Sequence, residues 1–135
     1  MKKTVWVIDD DDSIRWVLDK ALGQAGIPIK AFNSADEAMH LLANEPPLTV
    51  LSDIRMPGSS GLDFLQKIQS EFPQIPVIIM TAHSDLESAV NSFELGAYEY
   101  LAKPFDIDEV VNVVQRAISS RSESDPEITN QITPS

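Results

Sequence analysis

Val5-Trp6-Val7-Ile8-Asp9-Asp10-Asp11-Asp12-Ser13-Ile14 is the stretch whose reading decides the fold. Its first four residues are β-branched or aromatic and form an unbroken apolar run. Such a run reads as a strand covered on both faces, because a strand with one wet face would alternate. Four acids then interrupt the chain. Beyond them Ile14, Val17, Leu18, Ala21, Leu22 and Ala25 recur at helical spacing until Gly26 stops the helix. Asp12 and Ser13 read as the caps of that helix.

The same alternation continues to the end of the domain. Ile29 to Phe32 is a short second strand, and Ser34 with Glu37 opens a helix as a capping box. Pro46-Pro47 ends that helix, and Leu48-Thr49-Val50-Leu51 is the third strand. The loop Met56 to Gly61 leads into a helix carrying Leu62, Leu65 and Ile68. Val77-Ile78-Ile79-Met80 is the most hydrophobic strand and is expected inside the sheet. Ser84-Asp85-Leu86-Glu87 opens a helix running to Gly96, and Tyr98 to Leu101 is strand five. Asp106 to Glu109 begins a last helix with Val110, Val111, Val114 and Ile118 inward. Alternating strands and helices predict an α/β fold, a five-stranded parallel sheet wound on both faces. Function in such folds sits at the carboxyl ends of the strands. From about Ser119 the periodicity fades, so residues 4–120 read as one domain and 121–135 as a flexible linker or tail.

The 135 residues suffice for one core, and 43% hydrophobic with 23% charged content is ordinary for a globular domain. A formal net charge of −11 repels phosphate backbones, which argues against direct nucleic-acid binding by this segment. No apolar run is long enough for a membrane span, and the opening residues make too short a signal-peptide core. A cytoplasmic location is the expectation. Absence of cysteine excludes disulfide and thiolate chemistry.

Residues with chemistry stand at the predicted strand ends. Asp9 to Asp12 follow strand one, Asp53 ends strand three, Thr81 ends strand four and Lys103 follows strand five. Taken singly each has a bland reading: a cap, a turn residue, an ordinary threonine, a Lys-Pro turn. Jointly they fall on one edge of a parallel sheet. Clustered carboxylates raise one another's pKa unless a cation neutralises them. Hard oxygen donors without His or Cys suit Mg²⁺, which also bridges to phosphoryl oxygens.

The runs Val7 to Asp10, Ser52-Asp53-Ile54-Arg55-Met56-Pro57-Gly58, Met80-Thr81-Ala82 and Lys103-Pro104-Phe105 resemble the receiver domains of two-component response regulators. The similarity spans about residues 4–120. Ser13 to Leu18, Ser52 to Gly58, Val77 to Leu86 and Lys103 to Glu109 bring it closest to the nitrogen-regulator (NtrC) branch. The resemblance implies a flavodoxin-like (βα)5 fold with strand order 2-1-3-4-5. It also implies a phosphoacceptor that takes its phosphoryl group from a sensor histidine kinase and is not an enzyme in the turnover sense, although it promotes its own phosphorylation and slow autodephosphorylation. On that pattern Asp53 is the phosphoacceptor, and Asp10, Asp53 and the main-chain carbonyl of Arg55 ligate Mg²⁺. Asp9 holds a metal-bound water, and Asp11 stands as a possible substitute within the four-aspartate run. Thr81 and Lys103 contact the phosphoryl group, Tyr100 is the switch aromatic, and Lys103-Pro104 is where the family carries a cis peptide. Further implied partners are ATPase and DNA-binding domains of a longer chain acting with sigma-54 polymerase, and a possible homodimer. Ser59 and Ser60 depart from the methionine and aspartate common in the family.

Two other classes fit less well. Asp9-x-Asp11 superficially suits a Mg²⁺-dependent aspartyl phosphatase, but no second acidic pair follows the lysine and Asp53 would then have no role. A flavodoxin-type cofactor site lacks its Ser/Thr/Gly-rich phosphate loop after strand one.

Overall fold

The chain runs through β1 (Val5–Ile8), α1 (Asp12–Gln24), β2 (Ile29–Phe32), α2 (Ala35–Leu41), β3 (Thr49–Asp53), α3 (Gly61–Glu71), β4 (Val77–Ala82), β5 (Glu99–Lys103) and α4 (Ile107–Ser124). The structure is a computed structural model, and it describes residues 4–54, 61–82, 96–103 and 105–124. The helix expected from Ser84 towards Gly96 lies outside the described residues.

All four strand pairings are parallel, and the sheet order is β2-β1-β3-β4-β5. Alternate residues of the apolar strands serve the two faces. Trp6, Ile8, Val50, Val77 and Ile79 meet Ala35, Ala38, Phe64, Leu65 and Ile68 from α2 and α3. Val5, Val7, Leu51, Ile78 and Met80 meet Leu18 and Leu22 of α1 with Val110, Val113, Val114 and Ala117 of α4. Burial on both sides is what the non-alternating strands require. Trp6 is fully buried and meets Phe32 edge-on, with ring centroids 4.8 Å apart.

Local signals set the helix ends. The Ser34 hydroxyl accepts from the Glu37 N–H, as the capping-box spacing predicts. Gly26, at φ 80°, takes the chain out of α1 in a conformation that side-chain-bearing residues rarely adopt. The cap of α1 differs from expectation: it is Asp11, whose carboxylate accepts from the N–H groups of Ser13 and Ile14, while Asp12 is already helical. Asp11 has extended backbone (φ −91°, ψ 113°), which lets its side chain reach over the first turn.

Strands three, four and five run further than their apolar cores predict. The ladder pairs Asp53 with Met80, Thr81 with Ala102 and Ala82 with Lys103. Backbone pairing therefore carries polar residues that hydropathy alone would assign to loops. On α4 the buried residues are Val110, Val113, Val114 and Ala117, with Val111 and Ile118 at the margin. That helix continues to Ser124, into the stretch whose composition reads as tail. Once three turns are anchored, extending a helix costs little per residue, and the first strong breaker in the sequence is Pro126.

Candidate functional site

Register brings the chemistry together. Ile8 pairs with Ser52, so Asp9 and Asp53 leave adjacent strands side by side. Asp53 pairs with Met80, which places Thr81 one step further along β4. Lys103 closes β5 on the same edge.

Asp9 is fully buried, with one donor on each carboxylate oxygen. One carboxylate oxygen accepts from the Asp11 N–H at 3.0 Å and the other from Lys103 Nζ at 2.8 Å. Lys103 also lies 3.4 Å from the carboxylate of Asp53. The Ile54 N–H donates to the same Asp53 oxygen at 2.9 Å. Oxygens of Asp9, Asp10 and Asp53 all lie within 4.8 Å of one another, a spacing one cation can span. Asp11 is not in that group, because its carboxylate is turned to the helix cap.

Burial pushes the Asp53 carboxyl above the ordinary carboxylate range, the charge of Asp9 pushes it further, and Lys103 only partly offsets them. For Lys103 burial alone works against the ammonium, but the hydrogen bond and charge of Asp9, with the charge of Asp53, hold it above the usual lysine value. The signs differ in consequence. Lys103 contributes stability that is present below 10.5 and lost as pH rises through its folded value. Asp53 binds its proton more tightly folded than unfolded, so it costs stability as pH rises from 3.8 through its folded value. Metal-free Asp53→Asn is therefore expected to exceed the wild type in melting temperature at neutral pH, with the difference closing towards pH 3.8. Parallel melting curves across pH check this. A difference that is flat with pH would show that the charge of Asp53 carries no penalty.

Thr81 is 2% exposed at the end of β4. Tyr100 is half-buried against the core face formed with α2 and α3. Arg55, Pro104, Ser59 and Ser60 lie outside the described residues.

Two contributors were not legible as site residues. Gly61 opens α3, and its N–H donates to the Ile54 carbonyl at 3.1 Å. A Cβ there would stand 2.1 Å from the Asp53 main-chain oxygen, so only glycine lets the first residue of α3 come this close to the backbone of Asp53. Gly61→Ala should cost roughly 2 kcal/mol or more, since the obstacle is backbone and cannot swing aside. Thermal melting measures it, and an unchanged Tm would mean that the start of α3 and the Asp53 backbone separate at no cost. The other contributor is Arg15, whose guanidinium donates to the Asp9 carbonyl at 2.6 Å and pairs with Asp12. The sequence marked it only as part of the run Ser13 to Leu18, without a role at the site.

The family described as response regulator receiver domain matches residues 5–115. The DNA-binding transcriptional regulator NtrC of Salmonella typhimurium is 55% identical over 119 residues, 88% of this chain and 25% of that protein. The regulatory protein AtoC of Escherichia coli is 39% identical over 118 residues, 87% of this chain and 26% of that protein. This chain thus spans about a quarter of the curated relatives it matches. Among solved structures, the apo receiver domain of Nitrogen Regulatory Protein C superposes with a TM-score of 0.79 at 55% identity, covering 87% of this chain and 94% of that one. The receiver domain of NtrX from Brucella abortus gives 0.81 at 32% identity, covering 85% and 98%. With the parallel sheet, the acid cluster and the bridging lysine on one edge, these likenesses make the chain a member of the response regulator receiver domain family, of the NtrC type.

Proposed function

We propose that the domain is the phosphoacceptor switch of a two-component system, with Asp53 taking a phosphoryl group from a sensor histidine kinase in a Mg²⁺-dependent reaction. The observation that carries this reading is the convergence of Asp9, Asp10 and Asp53 within 4.8 Å, with Lys103 set between Asp9 and Asp53. An all-carboxylate donor set of this spacing fits Mg²⁺. Asp10 and Asp53 would hold the ion directly with the Arg55 carbonyl, and Asp9 through a water. The bound ion would offset negative charge on the phosphoryl oxygens.

The protein's own groups act by placement. An Asp53 oxygen attacks phosphorus in line with the departing imidazole of the kinase histidine. Lys103, already held by Asp9, neutralises a phosphoryl oxygen as charge shifts onto it, a mainly electrostatic form of catalysis. Thr81 donates its hydroxyl to another of those oxygens. The acyl phosphate then hydrolyses by itself, so the domain serves as both substrate and timer. Drawing Thr81 towards the phosphoryl group opens space for Tyr100 to turn, and the domain signals through that change. Because a ligand shifts only an equilibrium that already exists, backbone exchange on the microsecond-to-millisecond scale is expected around Tyr100 in the unphosphorylated domain. Relaxation-dispersion NMR reads it, and shifts that ignore a phosphoryl mimic would place the output elsewhere.

The similarity to NtrC, AtoC and DctD supports an output through further domains beyond residues 121–135, an ATPase acting with sigma-54 polymerase and a DNA-binding domain, in nitrogen regulation. No helix among the described residues is long and apolar enough to cross a membrane. Incubation with acetyl phosphate and Mg²⁺ is the direct test. Addition of one phosphoryl mass per chain supports the switch, whereas continuous turnover of a phosphate ester would mark a phosphatase.

A further inference from the structure

Arg15 stands on α1, away from the residues that the phosphoacceptor reading assigns, yet it is tied to them. One guanidinium nitrogen donates to the main-chain carbonyl of Asp9 at 2.6 Å. The other pairs with Asp12, which is 90% exposed, whereas Arg15 is 20% exposed. An exposed partner of this kind adds little energy, so the contact to Asp9 is the one with consequence. The Asp9 carbonyl belongs to the peptide bond joining Asp9 to Asp10, the two adjacent acids of the three that converge. Asp9 is held at its two carboxylate oxygens by the Asp11 N–H and Lys103. Arg15 supplies a third tether, on the backbone. A planar fork that reaches a carbonyl and a carboxylate together fixes orientation in a way a single ammonium does not.

We propose that Arg15 is a positioning residue for the cation site: by holding the Asp9–Asp10 peptide it aims the Asp10 carboxylate at the place where Asp9, Asp10 and Asp53 meet. The proposal rests on the Mg²⁺ reading of that cluster. It makes a prediction whose sign is opposite to the plain electrostatic one. Removing a nearby positive charge should by itself strengthen the binding of a dication. Loss of the tether should weaken it, because a weakly held ion with few protein ligands depends on their placement.

The test is Mg²⁺ titration of the intact domain, read by backbone amide shifts at Asp10, Asp11 and Ile54, for wild type, Asp10→Ala, Arg15→Ala, Arg15→Lys and Asp12→Ala. Arg15→Ala is expected to bind Mg²⁺ about 3- to 10-fold more weakly. Arg15→Lys should recover part of that loss, since an ammonium can still reach one acceptor. Asp12→Ala should stay within about twofold of wild type, because its side chain is solvated. Should Arg15→Ala fail to fold, Arg15→Met keeps the aliphatic stem and is read against the same expectation. Affinity that is unchanged or tighter in Arg15→Ala or Arg15→Met, with Asp10→Ala still impaired, overturns the positioning role. A wild type that shows no Mg²⁺ response overturns the cation site itself, and the inference with it.

Discussion

Asp53→Asn is expected to take up no phosphoryl group from acetyl phosphate and Mg²⁺, under conditions where the wild type gains one per chain. The expectation follows from geometry before chemistry. Asp9 is buried, with both carboxylate oxygens occupied by the Asp11 N–H and Lys103. Asp11 caps α1, and Asp12 pairs with Arg15. Among the described residues, Asp53 alone combines a partly exposed carboxylate with a position beside Lys103 and one ladder step from Thr81. Asparagine preserves the shape and can still accept from the Ile54 N–H, but it offers no nucleophilic carboxylate. Uptake should fall by at least 100-fold by intact-mass spectrometry. The same change removes a charge that burial and Asp9 disfavour, so the metal-free protein should melt at a higher temperature at neutral pH. The two effects separate the readings. Lost uptake with a raised Tm means that a functional group was removed from an intact fold. Full labelling of the Asn variant at another residue would move the phosphoacceptor.

How much of this was legible in the sequence depends on what each feature rests on. The strands declared themselves because burial on both faces forces continuous apolar runs, and Trp6 to Ile8 or Val77 to Met80 have no other plausible fate in water. Asp53, Thr81 and Lys103 could be placed on one edge because parallel topology puts every strand's carboxyl end on the same side. Asp53 was expected to end strand three and does, whereas Lys103 was expected after strand five and ladder pairing carries it, with Ala82, inside strands that hydropathy ends earlier. The division of labour among Asp9 to Asp12 was equally hidden. Four identical side chains in a row carry no compositional signal, and only backbone direction separates the buried Asp9 from the capping Asp11. Gly61 was invisible for a related reason. A glycine in a loop of glycines and serines looks like flexibility, while the structure shows a close approach to the Asp53 carbonyl.

That division of labour carries its own expected result, a double dissociation between neighbours. Asp10 is exposed at the strand edge and belongs to the trio that shares a cation-sized space with Asp9 and Asp53. Asp11 is outside that trio and accepts from two helix N–H groups at 2.8 and 3.4 Å. Asp10→Ala deletes a hard ligand and should weaken Mg²⁺ binding by 10-fold or more, a loss of about 1.4 kcal/mol or greater. Without metal it also relieves repulsion among the remaining carboxylates, so stability in chelator should hold or rise. Asp11→Ala should do the reverse: Mg²⁺ affinity stays near that of the wild type while stability drops by about 1 kcal/mol for the lost cap. The wild type should also gain stability on adding Mg²⁺, because an ion that binds only the folded chain shifts the equilibrium by mass action. Asp10→Ala should lose most of that gain, and Asp11→Ala should keep it. Melting curves with and without Mg²⁺ on the three proteins give both axes at once. If Asp11→Ala loses the metal-dependent gain and Asp10→Ala retains it, the ligand lies one residue further along the run, and the capping geometry of Asp11 does not describe the metal-bound state.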